Sequence, residues 1–242
     1  MESSDSTPAY VPGSEPVRKK TVSKGRLVTW LILTPITLFG IIGLAVTLFI
    51  TAWYTERGFA GMPHPGSLPA PVRDMAIPTG TIIGEWLTVW LWWSFFKREE
   101  SFPSLFQTRT KTPWMEMGIG VIAGGVLVFL AGFMRPPVPH WAGVFLVLSS
   151  ITAGFCEEFL FRGFLISLIR RAGLGWVAQI LLSVCAFGAG HVIAGPWGIA
   201  WAAFVGLVFG AITIRSGNVW AAVVAHVIVD ICVLFRLFPF HL

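Results

Sequence analysis

Charge is what this sequence has least of. Only 12% of its 242 residues are charged while 55% are hydrophobic, and its mean hydropathy is +0.75. A soluble domain carries about a quarter charged residues, so the scarcity argues against one. Short segments alternating apolar with polar residues are also missing, which argues against a transmembrane barrel. The three cysteines, Cys156, Cys185 and Cys232, all lie in apolar runs. An odd number at such positions builds no disulfide framework; they read as small packing residues. Cys156 stands out only as the neighbour of Glu157. Absent too are a phosphate-binding loop, the H-E-x-x-H zinc helix and the G-x-S-x-G nucleophile elbow. There is no internal repeat.

What is present is a series of long apolar runs, each near the 20 or so residues that cross a bilayer as helix. They fall near 27–53, 76–96, 114–134, 141–169, 174–193, 197–214 and 218–237. The expected fold is all-α, a polytopic transmembrane helical bundle of about seven spans. Residues 1–26 read differently: rich in Ser and Pro, then basic through Arg18, Lys19, Lys20, Lys24 and Arg26. They form a disordered basic tail, followed by a transmembrane domain over 27–242. The run from Leu27 to Trp53 is too long for a signal-peptide core and has no small-residue cleavage site after it, so it reads as a retained span. Pro63, Pro65, Pro69 and Pro71 mark the loop 55–75 as extended.

The basic residues orient the bundle. One set of loops holds Arg18, Lys19, Lys20, Lys24, Arg26, Lys97, Arg98, Arg109, Lys111, Arg170, Arg171 and Arg215, and the other only Arg57, Arg73, Arg135 and Arg236. Positive charge marks the cytoplasmic side. The chain is thus expected in the cell membrane as a multi-pass protein, N-terminus cytoplasmic and C-terminus outside. The net charge of +5 reads as a topology signal with some attraction to anionic lipid. The expected partners are the lipid bilayer and a peptide or protein substrate, with no nucleic acid.

Against this background the ionisable residues inside the spans stand out, because each is costly to bury in a membrane. They are Glu85, Glu157, Glu158, Arg162, His191, His226 and Asp230. Glu158 and Arg162 are four apart, acid before base, and neutralise each other on a helix. Glu157 is rotated by about 100° and stays available. His226 and Asp230 share a face, as do Phe187 and His191. At 1.5 Å per residue from each cytoplasmic end, Glu157 lies about 20 Å deep, His191 about 25 Å, His226 about 15 Å and Asp230 about 21 Å. Three helices thus bring polar groups to one level near mid-membrane. A carboxylate with histidines suits water activation, with Glu as base and the histidines holding a metal or stabilising an oxyanion. A structural polar network, an ion- or proton-coupled transporter and a non-catalytic scaffold would also bury such groups. Glu85, about 16 Å deep, fits no motif and reads as structural or cavity-lining. The tryptophan cluster "WLTVWLWW" reads as packing and interface anchoring. Gly120 with Gly124, and Gly206 with Gly210, read as close helix contacts. His64, His140 and His241 carry no expected role.

Three motifs, in order, carry a family resemblance. "EEFLFR" (157–162) fits E-E-x-x-x-R, "FGAGH" (187–191) fits F-x-x-x-H, and "HVIVD" (226–230) fits H-x-x-x-N/D. Over about 114–237 the chain resembles the CAAX protease and bacteriocin-processing family, to which the prenyl-protein CAAX endopeptidases belong. The resemblance implies an intramembrane endopeptidase. By motif, Glu157 with His191 would activate water, Glu158 with Arg162 would brace the site, and His226 with Asp230 would stabilise the oxyanion. The other account of the family implies a divalent metal such as zinc near Glu157, His191 and His226. Asp230 departs from the Asn of the eukaryotic branch: a carboxylate donates no hydrogen bond unless protonated.

Overall fold

Residues 22–56, 70–96, 113–131 and 143–235 are described by a computed structural model. The described residues are helical throughout, with no strand. The elements are α1 (Lys24–Glu56), α2 (Ala70–Phe96), α3 (Pro113–Ala131), α4 (Gly143–Glu158), a π-helical segment (Phe159–Leu165), α5 (Ile166–Arg171), α6 (Trp176–Gly190), a 3-10 turn (Val192–Ala194), α7 (Gly195–Ser216) and α8 (Trp220–Phe235). Because α4, the π segment and α5 run on without a break, the described chain forms seven helical rods.

The expected boundaries shift in physically simple ways. α1 begins at Lys24, inside the expected 1–26 tail, and Val22 is already buried, its N–H donating to the Arg171 carbonyl at 3.3 Å. The rest of that tail, most of the 55–75 and 97–113 loops, and His64, His140 and His241 lie outside the described residues. α2 starts at Ala70 rather than 76. Pro71 sits in its first turn, where a missing N–H is no loss. The run expected as one regular helix over 141–169 leaves α geometry at Phe159 and continues to Arg171.

Two described helices are long and apolar enough to cross a membrane, Lys24–Leu48 and Gly195–Ser216. Trp114–Leu130, Trp176–Gly190 and Trp220–Cys232 are shorter apolar stretches. The other expected spans fall short because polar and charged groups interrupt them: Thr, Pro and Glu85 in α2, and Glu157, Glu158 and Arg162 across the α4–π junction. The outward faces are apolar, with Phe129 75% and Trp90 65% exposed. Interior polar side chains satisfy themselves locally, as where the Thr34 and Thr37 hydroxyls donate to the Trp30 and Leu33 carbonyls, both at 2.7 Å.

Small residues set the spacing between rods. α1 packs on α2, α3 and α4 pack on α8, and α6 packs on α7. Gly84 lies against the backbone of Ile42, so that a Cβ there would sit 2.5 Å from its Cα. Gly120 and Gly124 face the Ala221 and Ala225 carbonyls in the same way. Trp92 joins α2 to α1 by donating to the Thr37 hydroxyl at 3.0 Å, and it packs edge-on against Trp30 and Phe164. At the head of α8, the buried Asn218 donates to Glu116 of α3 and accepts from the Trp220 N–H at 3.0 Å. Gly217 just before it takes φ 72°, a left-handed cap that closes α7.

Close contact at Gly120 yields a direct test. Gly120→Leu is expected to destabilise the bundle by about 1–3 kcal/mol through overpacking, read as a lower midpoint of thermal unfolding in detergent. Gly118→Leu, at a glycine with open space around its Cβ position, should leave the midpoint unchanged.

Candidate active site

The site is assembled where the π segment meets α6, α7 and α8. π-helical turns, rare in proteins, recur at functional sites. All seven residues from Phe159 to Leu165 are buried. The wider turn frees backbone carbonyls, and the Phe161 carbonyl is met by the Ser183 hydroxyl of α6 at 3.0 Å.

Within this segment Arg162 is 1% exposed. Its Nη1 donates to Glu158 Oε1 at 2.8 Å and its Nη2 to the Gly206 carbonyl of α7 at 3.1 Å. The guanidinium lies over the Phe187 ring at 4.4 Å and the Phe209 ring at 5.6 Å, both within cation–π range. Gly206 makes room here, since a Cβ would come 3.0 Å from Arg162 Nη2. The bracing pair expected from the sequence therefore forms, and it reaches two further helices.

The same Glu158 oxygen accepts from His226 Nδ1 at 3.0 Å. A hydrogen bond to a carboxylate places the ring proton on Nδ1 and turns Nε2 toward the remaining acids. His226 Nε2 stands 3.9 Å from Glu157 Oε2 and 3.7 Å from Asp230 Oδ2. The ring is thus oriented by Glu158, while Asp230, with its side chain 31% exposed, faces the other nitrogen. Glu157 is 6% exposed and its Oε2 has no hydrogen-bond partner. It is available, as its position on the helix predicts.

His191 ends α6. Its Nδ1 donates to the Phe187 carbonyl at 2.9 Å, which leaves Nε2 with its lone pair free. The ring packs between Phe187 at 4.8 Å and Phe39 of α1 at 5.4 Å. His191 is close enough to Asp230 to act on it electrostatically, yet no direct hydrogen bond or ion pair joins it to Glu157. Glu157, Glu158, Arg162, His226 and Asp230 are therefore in direct contact as a group, and His191 stands beside them.

Among the described residues no group of three or more His, Cys, Asp or Glu side chains is arranged to hold a metal ion. Glu157, His191 and His226 do not form one as placed: both rings give Nδ1 to an oxygen and keep Nε2 free, but no hydrogen bond or ion pair brings His191 to Glu157.

Residues 139–232 match the family model described as Type II CAAX prenyl endopeptidase Rce1-like. The match spans less than half of the chain and is a likeness to that family over this segment. The segment contains all six candidate site residues and begins 25 residues after position 114, where the resemblance read from the sequence starts. Neither the curated proteins nor the solved structures gave a match. A CAAX-protease type of endopeptidase, and with it a membrane protein, is the coarse identity this match supports.

Sequence reasoning missed the groups behind the site residues: the Gly206 carbonyl, the Phe209 ring and the Ser183 hydroxyl, while Phe187 was read in its motif without its contact to Arg162. Gly206 was noticed for its spacing to Gly210, but nothing in the sequence marks its carbonyl as a ligand for Arg162.

Removing Arg162 should be severe. Arg162→Ala strands a buried carboxylate, and loss of about 3–5 kcal/mol is expected, read by unfolding and by yield of folded protein. Glu158→Gln combined with Arg162→Met, which removes both charges, should recover much of that loss.

Proposed function

We propose that this chain is an intramembrane endopeptidase that hydrolyses a peptide bond of a membrane-associated or small peptide or protein substrate, with Glu157 as the base. The observation that carries this reading is the buried, unpartnered Glu157 oxygen facing Nε2 of a histidine whose other nitrogen is held by a second carboxylate. The Rce1-like match over the same residues supports it.

The chemistry runs on side chains. A water between Glu157 and the free Nε2 of His191 gives a proton to Glu157, and its oxygen attacks the scissile carbonyl carbon. Charge then gathers on the carbonyl oxygen, and His226, protonated at both nitrogens, donates to it from Nε2. Asp230, 3.7 Å from Nε2, stabilises that imidazolium through its charge, while Glu158 accepts from Nδ1. Arg162 positions Glu158 and touches no reacting atom.

The substrate's route is apolar. A groove of about 470 Å³ between α1 and α6 is lined by Leu31, Ile32, Phe39, Leu182, Cys185 and Gly190. Gly190 and Phe39 border His191, so an apolar stretch of substrate in this groove would bring its backbone to the site. The seven rods, taken as spans, and the basic residues of the loops support a multi-pass protein of the cell membrane with the N-terminus in the cytoplasm.

The test is cleavage by the purified protein in liposomes. Membrane and secreted precursor peptides are offered as a mixture, and products are read by mass spectrometry, with a chelator arm alongside. Wild type should cut and Glu157→Gln should lose about 10²–10⁴-fold of the rate while keeping its unfolding midpoint. The chelator should leave cleavage intact. Substrate-dependent ion flux without cleavage would replace this reading with a transporter.

A further inference from the structure

Peptide hydrolysis needs a proton delivered to the departing nitrogen as well as a base for the water, and the six site residues leave that donor unassigned. Two buried acids among the described residues lie outside them and outside the matched 139–232 segment, and one of these, Glu116, accepts from Asn218. Glu85 of α2 is fully buried, and neither of its carboxyl oxygens has a hydrogen-bond partner among the described residues. Its neighbours direct it to the site. Trp86 stacks on Phe155 of α4 at 5.5 Å, two residues before Glu157, and the charges acting on Glu85 are those of Glu157 and Asp230.

The charges at this level are out of balance. Glu85, Glu157, Glu158 and Asp230 face Arg162, His226 and His191. Glu158 is matched by Arg162 and His226, and Asp230 by His226. Glu85 has no hydrogen bond from either oxygen, and Glu157 and Asp230 are near enough to act on it electrostatically. A charge there would be unsolvated, without a hydrogen bond and beside like charges. A proton resting on Glu85 removes all three penalties. Two carboxyl groups in unlike environments then divide the acid and base tasks. The unbonded oxygens of Glu85 and Glu157 leave both carboxyls able to take a partner from a water or a substrate, as buried polar atoms need one.

We propose that Glu85 is a further catalytic residue, the general acid that protonates the leaving nitrogen. The proposal rests on the endopeptidase reading above. The water proton goes to Glu157 as the new C–O bond forms. The C–N bond breaks as the Glu85 proton passes to nitrogen, releasing a free amine. Glu157 then returns its proton to Glu85, so one water is consumed and the enzyme is restored.

A matched pair of fluorogenic membrane peptides tests this, one with an amide at the scissile position and one with an aryl ester. They are built on a peptide that the wild type cleaves in liposomes. An aryloxide leaves without prior protonation, so only the amide depends on an acid. Glu85→Gln is expected to lower kcat for the amide by about 100-fold or more with KM unchanged, while the ester is cut near the wild-type rate. Glu157→Gln should lose both. Equal loss of amide and ester in Glu85→Gln, or no loss of either, overturns the proposal. If Glu85→Gln does not fold, Glu85→Asp serves: it should slow the amide more than the ester, and equal slowing overturns the assignment. Failure of the wild type to cut any peptide defeats the endopeptidase reading itself, and this proposal with it.

Discussion

A single oxygen, Oε1 of Glu158, accepts from Arg162 at 2.8 Å and from His226 at 3.0 Å, with Glu158 and Arg162 both essentially inaccessible. The rest of the site depends on it. Through Arg162 Nη2 the link continues to the Gly206 carbonyl, so that one buried network ties the π segment to α7 and α8. A buried ion pair contributes little net stability, because desolvation offsets the attraction. What it supplies here is position. One carboxylate fixes a guanidinium and an imidazole, and Oε2 of the adjacent carboxylate, Glu157, is left without a hydrogen bond. Two neighbouring glutamates of the same chemical type thereby differ: Glu158 is held by two donors, and Glu157 keeps an oxygen without a hydrogen bond.

The helices serve that network. Phe187 contributes its ring to the Arg162 guanidinium and its carbonyl to His191, so one residue places two others. The small residues of α7 let Arg162 reach backbone that a side chain would otherwise cover. On the far side, α1 and α2 close the site from a part of the chain outside the Rce1-like segment: Phe39 against His191, and Glu85 among the acids.

Much of this was legible before any coordinates. Helix rise is fixed, so counting residues placed Glu157, His226 and Asp230 at one depth, and their direct contacts follow. The i, i+4 pairing of Glu158 with Arg162 follows from helix geometry in the same way. The π segment was not legible, because no residue pattern in "FLFRGFL" distinguishes it from a buried α-helix. Nor was the use of Nδ1 in His191 and His226, which depends on which carbonyl or carboxylate each ring meets. The expected pairing of His191 with Glu157 came from motif analogy, and no direct bond joins them in the structure. The short apolar stretches of α3, α6 and α8 also escaped, since hydropathy along a run does not mark where the helix ends.

The most direct test of the central claim is whether Glu158 and His226 act as one unit. Peptide cleavage rates would be measured for Glu158→Gln, His226→Gln and the double variant, each shown to be folded by its unfolding midpoint. If Glu158 works by holding the His226 ring, the double variant should be about as slow as the slower single variant, as for groups that act together. Multiplying effects would mean that the two side chains act independently, and would contradict the shared oxygen as the organising element of the site.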